Sequence, residues 1–192
     1  MAFTDYETER IREALLAEAR HCAVTLGVRK TSVDQLTQAV GISKGSFYKF
    51  YDSKELLFFA VLEDIHTELY AIADQSLDEN QCLSPAERAT AAILTVCKRM
   101  SDTGVLTFIE NDAENLLRRL PESVKTAHYH DDEAHISELL EKYRLTPKGG
   151  AKLTTAMVRG LILTVSHKAQ IGDFYPQVLS ALTHGACKEL FD

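Results

Sequence analysis

Two groups of side chains in this sequence have types and spacings that could do chemistry. The first lies between Arg20 and Lys54, where six basic residues (Arg20, Arg29, Lys30, Lys44, Lys49 and Lys54) meet two acidic ones, Asp34 and Asp52. The whole chain is acidic, with a formal net charge of -7, yet residues 1–56 balance eight basic against eight acidic residues and leave 13 against 20 for the remainder. The basic surplus is therefore local, and it can face a polyanion. Lys44 and Lys49 can reach phosphates or base edges, while Ser46 and Tyr48 offer hydrogen bonds and an apolar surface that fits a groove. Gly45 removes a side chain where a backbone must approach closely, at a helical cost of up to about 1 kcal/mol relative to alanine. Thr31, Ser32 and Lys54 sit at helix starts, where the dipole also favours phosphate.

The second group is His128, Asp132 and His135. On a helix these residues differ by four, three and seven positions, which puts two imidazoles and a carboxylate on one face, a donor set suited to a divalent transition metal. The same face also reads as a solvated polar surface with its own i to i+4 pairs. A fourth ligand would have to come from another helix, with Glu110, Asp112 and Glu114 as candidates. Beyond this face no cofactor is required. The four cysteines (Cys22, Cys82, Cys97 and Cys187) are widely spaced, form no C-x-x-C, and are expected as free buried thiols. No glycine-rich phosphate loop, G-x-S-x-G, H-E-x-x-H or paired-carboxylate signature is present, so the chain is not expected to be an enzyme. A pure protein-interaction module would explain the helices but not the clustering of basic and groove-sized residues.

The elements that must position these residues read as all-α. Glycine and proline are scarce and apolar residues recur at helical spacing almost throughout. Ile11, Leu15, Ala19, Cys22 and Leu26 form a stripe closed by Gly27. Ser32 with Gln35 forms a capping box for a short helix ending at Gly41, and Ser43 caps another running from Lys44 to about Phe50. Asp52-Ser53-Lys54-Glu55 opens a long helix through roughly Leu77. Two short helices joined through a glycine turn and preceded by a longer one make a helix-turn-helix, with Ile42 available to plug its core and Gly41 to supply a positive φ. Ser84-Pro85-Ala86-Glu87, Pro121-Glu122, Thr146-Pro147 and Pro176 mark later helix starts. At 192 residues the chain can bury a substantial core, and it has neither an apolar run that would cross a bilayer nor a secretory leader, so it is expected in the cytoplasm without a membrane partner.

Thr31 to Leu57, and above all Ala39-Val40-Gly41-Ile42-Ser43-Lys44-Gly45-Ser46-Phe47-Tyr48 followed by Ser53-Lys54-Glu55-Leu56-Leu57, closely resembles the N-terminal signature of the tetracycline-repressor (TetR/AcrR) family. The resemblance covers about residues 8–68, a third of the chain. It implies nine or so helices, with a helix-turn-helix DNA-binding domain at 8–68 and a ligand-binding and dimerisation domain at 69–192. One departure is Phe50-Tyr51, where the family commonly has His-Phe. DNA-facing positions are then Thr31, Ser32, Lys44, Gly45, Ser46, Phe47, Tyr48, Lys49 and Lys54, although Phe47, Phe50 and Tyr51 fit core better than contact.

The resemblance further implies a repressor that binds a palindromic double-stranded operator as a homodimer and is released by a small-molecule effector. A metal-responsive regulator or a TetR-like activator are the alternatives. An effector cavity would draw on Phe108, Ile109, Leu116, Met157 and Leu161, each of which fits plain core equally well. The last two helices, about Pro147 to Gln170 and Phe174 to Phe191, are expected to build the dimer through stripes that include Gly160, Ala181 and Ala186.

Overall fold

The computed structural model describes residues 3–165 and 167–192. Among them there is no strand. In chain order the α-helices are α1 (Asp5–Thr25), α2 (Val33–Val40), α3 (Lys44–Phe47), α4 (Lys54–Glu79), α5 (Pro85–Asp102), α6 (Val105–Phe108), α7 (Glu114–Arg119), α8 (Glu122–Lys142), α9 (Gly150–Val165), α10 (Lys168–Ile171) and α11 (Tyr175–Phe191). A π-helical turn, Ile109–Ala113, separates α6 from α7, and a 3-10 turn, Gly172–Phe174, precedes α11. The chain forms two compact units. Met1–His66 folds with Thr107–Pro121, and Thr67–Leu106 folds with Glu122–Asp192.

In the N-terminal unit the capping residues decide where helices begin. Thr4 and Glu7 exchange hydrogen bonds at the start of α1, and Ser32 and Gln35 do the same at the start of α2. The α2–α3 turn needs a left-handed residue, and Gly41 supplies it with φ 77° and ψ 30°, its neighbour Ile42 donating from its N–H to Thr37 O at 3.0 Å. α3 is shorter than its sequence promised. Lys49 N–H bonds to Ser46 O at 3.0 Å and Phe50 N–H to Phe47 O at 2.9 Å, so residues 48–50 tighten into i to i-3 turns instead of continuing the α-helix. At α4 the cap is Ser53, whose Oγ accepts from Leu56 N–H at 3.1 Å, one residue later than the expected box at Asp52. Leu15, Leu36, Phe47, Leu57, Phe58 and Phe108 are fully buried in this unit.

In the C-terminal unit α5 packs extensively on α11, and α8 and α11 pack on α9. Cys97, Val165, Tyr175 and Leu179 form one apolar cluster, and Leu77, Ala92 and Leu145 form another. The buried Arg88 guanidinium donates to Leu77 O at 2.6 Å and lies 4.5 Å from the centre of the Tyr143 ring, while Tyr143 hydroxyl donates to Asp74 O at 2.8 Å. These bonds satisfy polar groups that burial would otherwise penalise. α9 starts at Gly150 and not at Pro147, because Gly149 and Gly150 have φ of +77° and +69°, which a helix interior excludes. Its expected extension to Gln170 is interrupted, with α10 a separate single turn; Ser166 lies outside the described residues.

Candidate nucleic-acid interface

The helix-turn-helix presents a short row of side chains on a rigid base. Phe47 is fully buried and meets the edge of the Tyr48 ring with centroids 5.3 Å apart, so α3 is pinned from beneath at its last residue. On the opposite side Tyr48 is 50% exposed, and Lys44, Gly45 and Lys49 are exposed with it. Lys44 Nζ pairs with Asp34 Oδ2 at 2.8 Å, which links the start of α3 to the first turn of α2 and raises the Lys44 pKa through that hydrogen bond. Lys49 Nζ stands 5.6 Å from the centre of the Phe3 ring, and Phe3 in turn meets Phe50 at 5.8 Å. Ser32 is exposed at the start of α2 with its hydroxyl in the capping box. Ser46 hydroxyl is paired with that of Ser43 at 2.9 Å.

Three residues expected to face DNA are turned to other uses. Thr31 is 2% exposed, and its hydroxyl donates to Gly27 O at 2.9 Å. Phe47 is core, as its apolar side chain requires at a position directed under α3. Lys54 Nζ donates to Val28 O and to Thr31 O at 2.7 Å each, so its ammonium grips the backbone of the α1–α2 turn from within the unit. A lysine at a helix start and a hydroxyl just before a cap satisfy nearby carbonyls as readily as phosphate, which is why sequence could not separate the two uses. The exposed Arg29 and Lys30 in that turn, although part of the basic surplus, and Phe3 beneath Lys49 were not singled out.

The candidates for effector and metal binding are distributed differently. Phe108, Ile109 and Leu116 fall in the N-terminal unit, whereas Met157 and Leu161 lie on α9 in the C-terminal unit. Leu116 lines a cleft with Val28, Arg29, Asp112 and Arg119, a lining far more charged than the apolar cavity expected. His128, Asp132 and His135 lie on one helix, α8, where Asp132 and His135 meet protein groups. Asp132 Oδ1 accepts from Tyr70 hydroxyl at 3.0 Å and its Oδ2 pairs with Arg159 at 2.8 Å, while the His135 ring stacks on Tyr70 at 4.6 Å. Asp132 and His135 are thus engaged by protein groups, and His128 is buried on the same helix.

A glycine-turned helix pair with an exposed basic and aromatic face defines the class of helix-turn-helix proteins. Residues 15–61 match the family described as bacterial regulatory proteins, tetR family. It is 33% identical over 64 residues to an HTH-type transcriptional repressor of Mycobacterium tuberculosis, an overlap of 33% of this chain and 34% of that protein. The match thus spans about a third of that relative's length. The fold as a whole is similar to a TetR-family transcriptional regulator from Pectobacterium atrosepticum, with a TM-score of 0.71 at 19% identity over 97% of this chain and 94% of the other. It is also similar to RolR in complex with the ligand resorcinol, with a TM-score of 0.65 at 20% identity over 95% of this chain and 90% of that one.

Proposed function

We propose that this chain is a DNA-binding transcriptional regulator, a repressor that holds a palindromic operator as a homodimer and releases it when a small-molecule effector binds. The observation that carries the reading is the exposed row Lys44, Gly45, Tyr48 and Lys49 on α3 and the turn that follows it, fixed from beneath by Phe47 and set by the Gly41 turn. Cations there meet phosphates, and Tyr48 and Lys49 have the reach to touch base edges. The kinship with a named repressor supports the sign of regulation, and the resorcinol held by a protein of the same fold supports a small organic effector.

The dimer rests on α9 and α11. Leu153, Ala156, Gly160 and Leu163 are all exposed and follow one another at spacings of three, four and three, an apolar stripe along one side of α9. Ala181, Leu182 and Gly185 are exposed on α11, whose other side is buried through Leu179, Thr183 and Cys187. Stripes with small residues allow two copies to pack closely as a four-helix bundle about a two-fold axis. A two-fold dimer presents two α3 helices, so its operator is an inverted repeat with half-sites about one helical turn apart or somewhat more.

The test is selection of bound sequences from random duplex DNA, followed by salt titration of the selected operator and of random DNA. A palindromic consensus is expected. Lys49→Ala should weaken operator binding, reduce the slope of log affinity against log salt by about one unit if it meets a phosphate, and relax preference among operator bases if it meets an edge. Wild-type protein without salt-dependent affinity for any duplex would remove the reading.

A further inference from the structure

The turn between α1 and α2 is held from several directions within its own unit. Thr31 hydroxyl donates to Gly27 O at 2.9 Å, and Lys54 Nζ donates to Val28 O and Thr31 O at 2.7 Å each. A further bond comes from far along the chain, since Val28 N–H donates to Asp112 Oδ2 at 2.9 Å across a separation of 84 residues. Asp112 is only 6% exposed. The turn is also shaped to admit it, because a Cβ on Gly27 would lie 2.8 Å from the same Oδ2, and Gly27 has a φ of +83°. A hydrogen bond and a missing side chain thus independently mark one seat for this carboxylate. The element that delivers it is equally specific. Asp112 belongs to the π-helical turn Ile109–Ala113, an irregularity of a kind that persists where a particular contact offsets it. At the end of the same segment Arg119 pairs with Glu55 at 3.3 Å, fastening it to the first turn of α4.

We infer that Asp112 is a positioning residue for operator binding: by holding Val28 it sets the α1–α2 turn, and with it the Ser32 cap, α2 and the exposed face of α3. The inference rests on the DNA-binding reading above. It makes Thr107–Pro121 a working part of the DNA-reading unit despite its distance in sequence, with Asp112 as the point of contact. Lys54 grips the carbonyls of the turn and Asp112 its N–H, so the turn keeps its place only while both hold.

The experiment uses the full chain as wild type, Asp112→Ala and Asp112→Asn, at a temperature where circular dichroism shows each variant folded. Affinities for selected operator and random duplex are measured across a salt series, and hydrogen exchange is followed at residues 27–32. Alanine leaves a buried N–H without an acceptor, so operator affinity should fall about tenfold or more and the operator-to-random ratio should fall with it, while the salt slope on random DNA stays unchanged. Asparagine keeps an oxygen for Val28 and should return operator affinity to within about threefold of wild type. In wild type the Val28 amide should exchange slowly, and in Asp112→Ala quickly.

A contact that serves stability alone would lower the melting temperature and leave the operator-to-random ratio intact, and that result overturns the inference. So does an asparagine variant no better than alanine. A wild-type Val28 amide exchanging as fast as a solvated loop overturns it without any variant, should Asp112→Ala fail to fold. Wild type that binds no duplex overturns the DNA reading and this inference together, whereas wild-type binding with an unchanged ratio in Asp112→Ala overturns this inference alone.

Discussion

Cys97 shows how far a residue's surroundings can be read from its type. All four cysteines were expected to be buried, and Cys22, Cys97 and Cys187 are, but Cys82 is exposed in the short connection between α4 and α5. Burial pushes the Cys97 thiol up to about 11 and raises Cys22 and Cys187 as well. Because the thiolate is the reactive form, the native chain at pH 8 should take one thiol label, at Cys82, and four in denaturant. Rapid labelling of two or more thiols in the folded chain would contradict the burial. The same shift has a sign in stability. The Cys97 contribution is full below the unfolded value of 9.0 and is lost as pH rises toward about 11, because the unfolded chain ionises first. Cys97→Val should therefore flatten the alkaline fall in melting temperature. Thr31 and Lys54 teach the complementary lesson, since their donors were rightly noticed but found backbone carbonyls near at hand.

At the scale of elements, what was legible had a local chemical signature. The boxes Ser32 with Gln35 and Ser84 with Glu87 are pairs three residues apart, and both form as their spacing requires. The glycine turn was legible for the same reason, and it yields a clean test. Gly41 has φ 77°, yet an added Cβ would meet nothing within 4 Å, so alanine there costs backbone strain alone. Gly41→Ala should lower stability in urea by about 1–2 kcal/mol with helix content kept, and Gly41→Asn should cost less. No loss at all would show that the turn does not depend on a left-handed residue. The π turn at 109–113 left no mark in the sequence. One additional residue within a continuous helical pattern alters neither composition nor capping, and the contact that favours it lies 84 residues away. Pro147 misled for a related reason, because its helix-start signal is overridden by two glycines at positive φ.

Leu182 is 47% exposed on the face of α11 assigned to the partner copy, so Leu182→Asp places a charge where an apolar interface should close. Wild type should sediment as a dimer at micromolar concentration and the variant as a monomer with unchanged helix content. A wild-type monomer, or a variant that remains a dimer, would remove the interface. The acidic excess beyond residue 56 is consistent with a chain that meets DNA through its N-terminal part alone. The discontinuous N-terminal unit also has a consequence for the order of events on the ribosome. His66 and Pro121 are separated by roughly 55 residues of later synthesis, which at about 5–20 residues per second takes about 3–11 s. During that interval the nascent helix-turn-helix exists without Asp112, so a chain that stalls or is cut before residue 112 would carry the reading helices but not their brace. On the proposed DNA-binding reading, unfinished copies would then be poor competitors for an operator, and only molecules translated well past α3 would bind it at full strength.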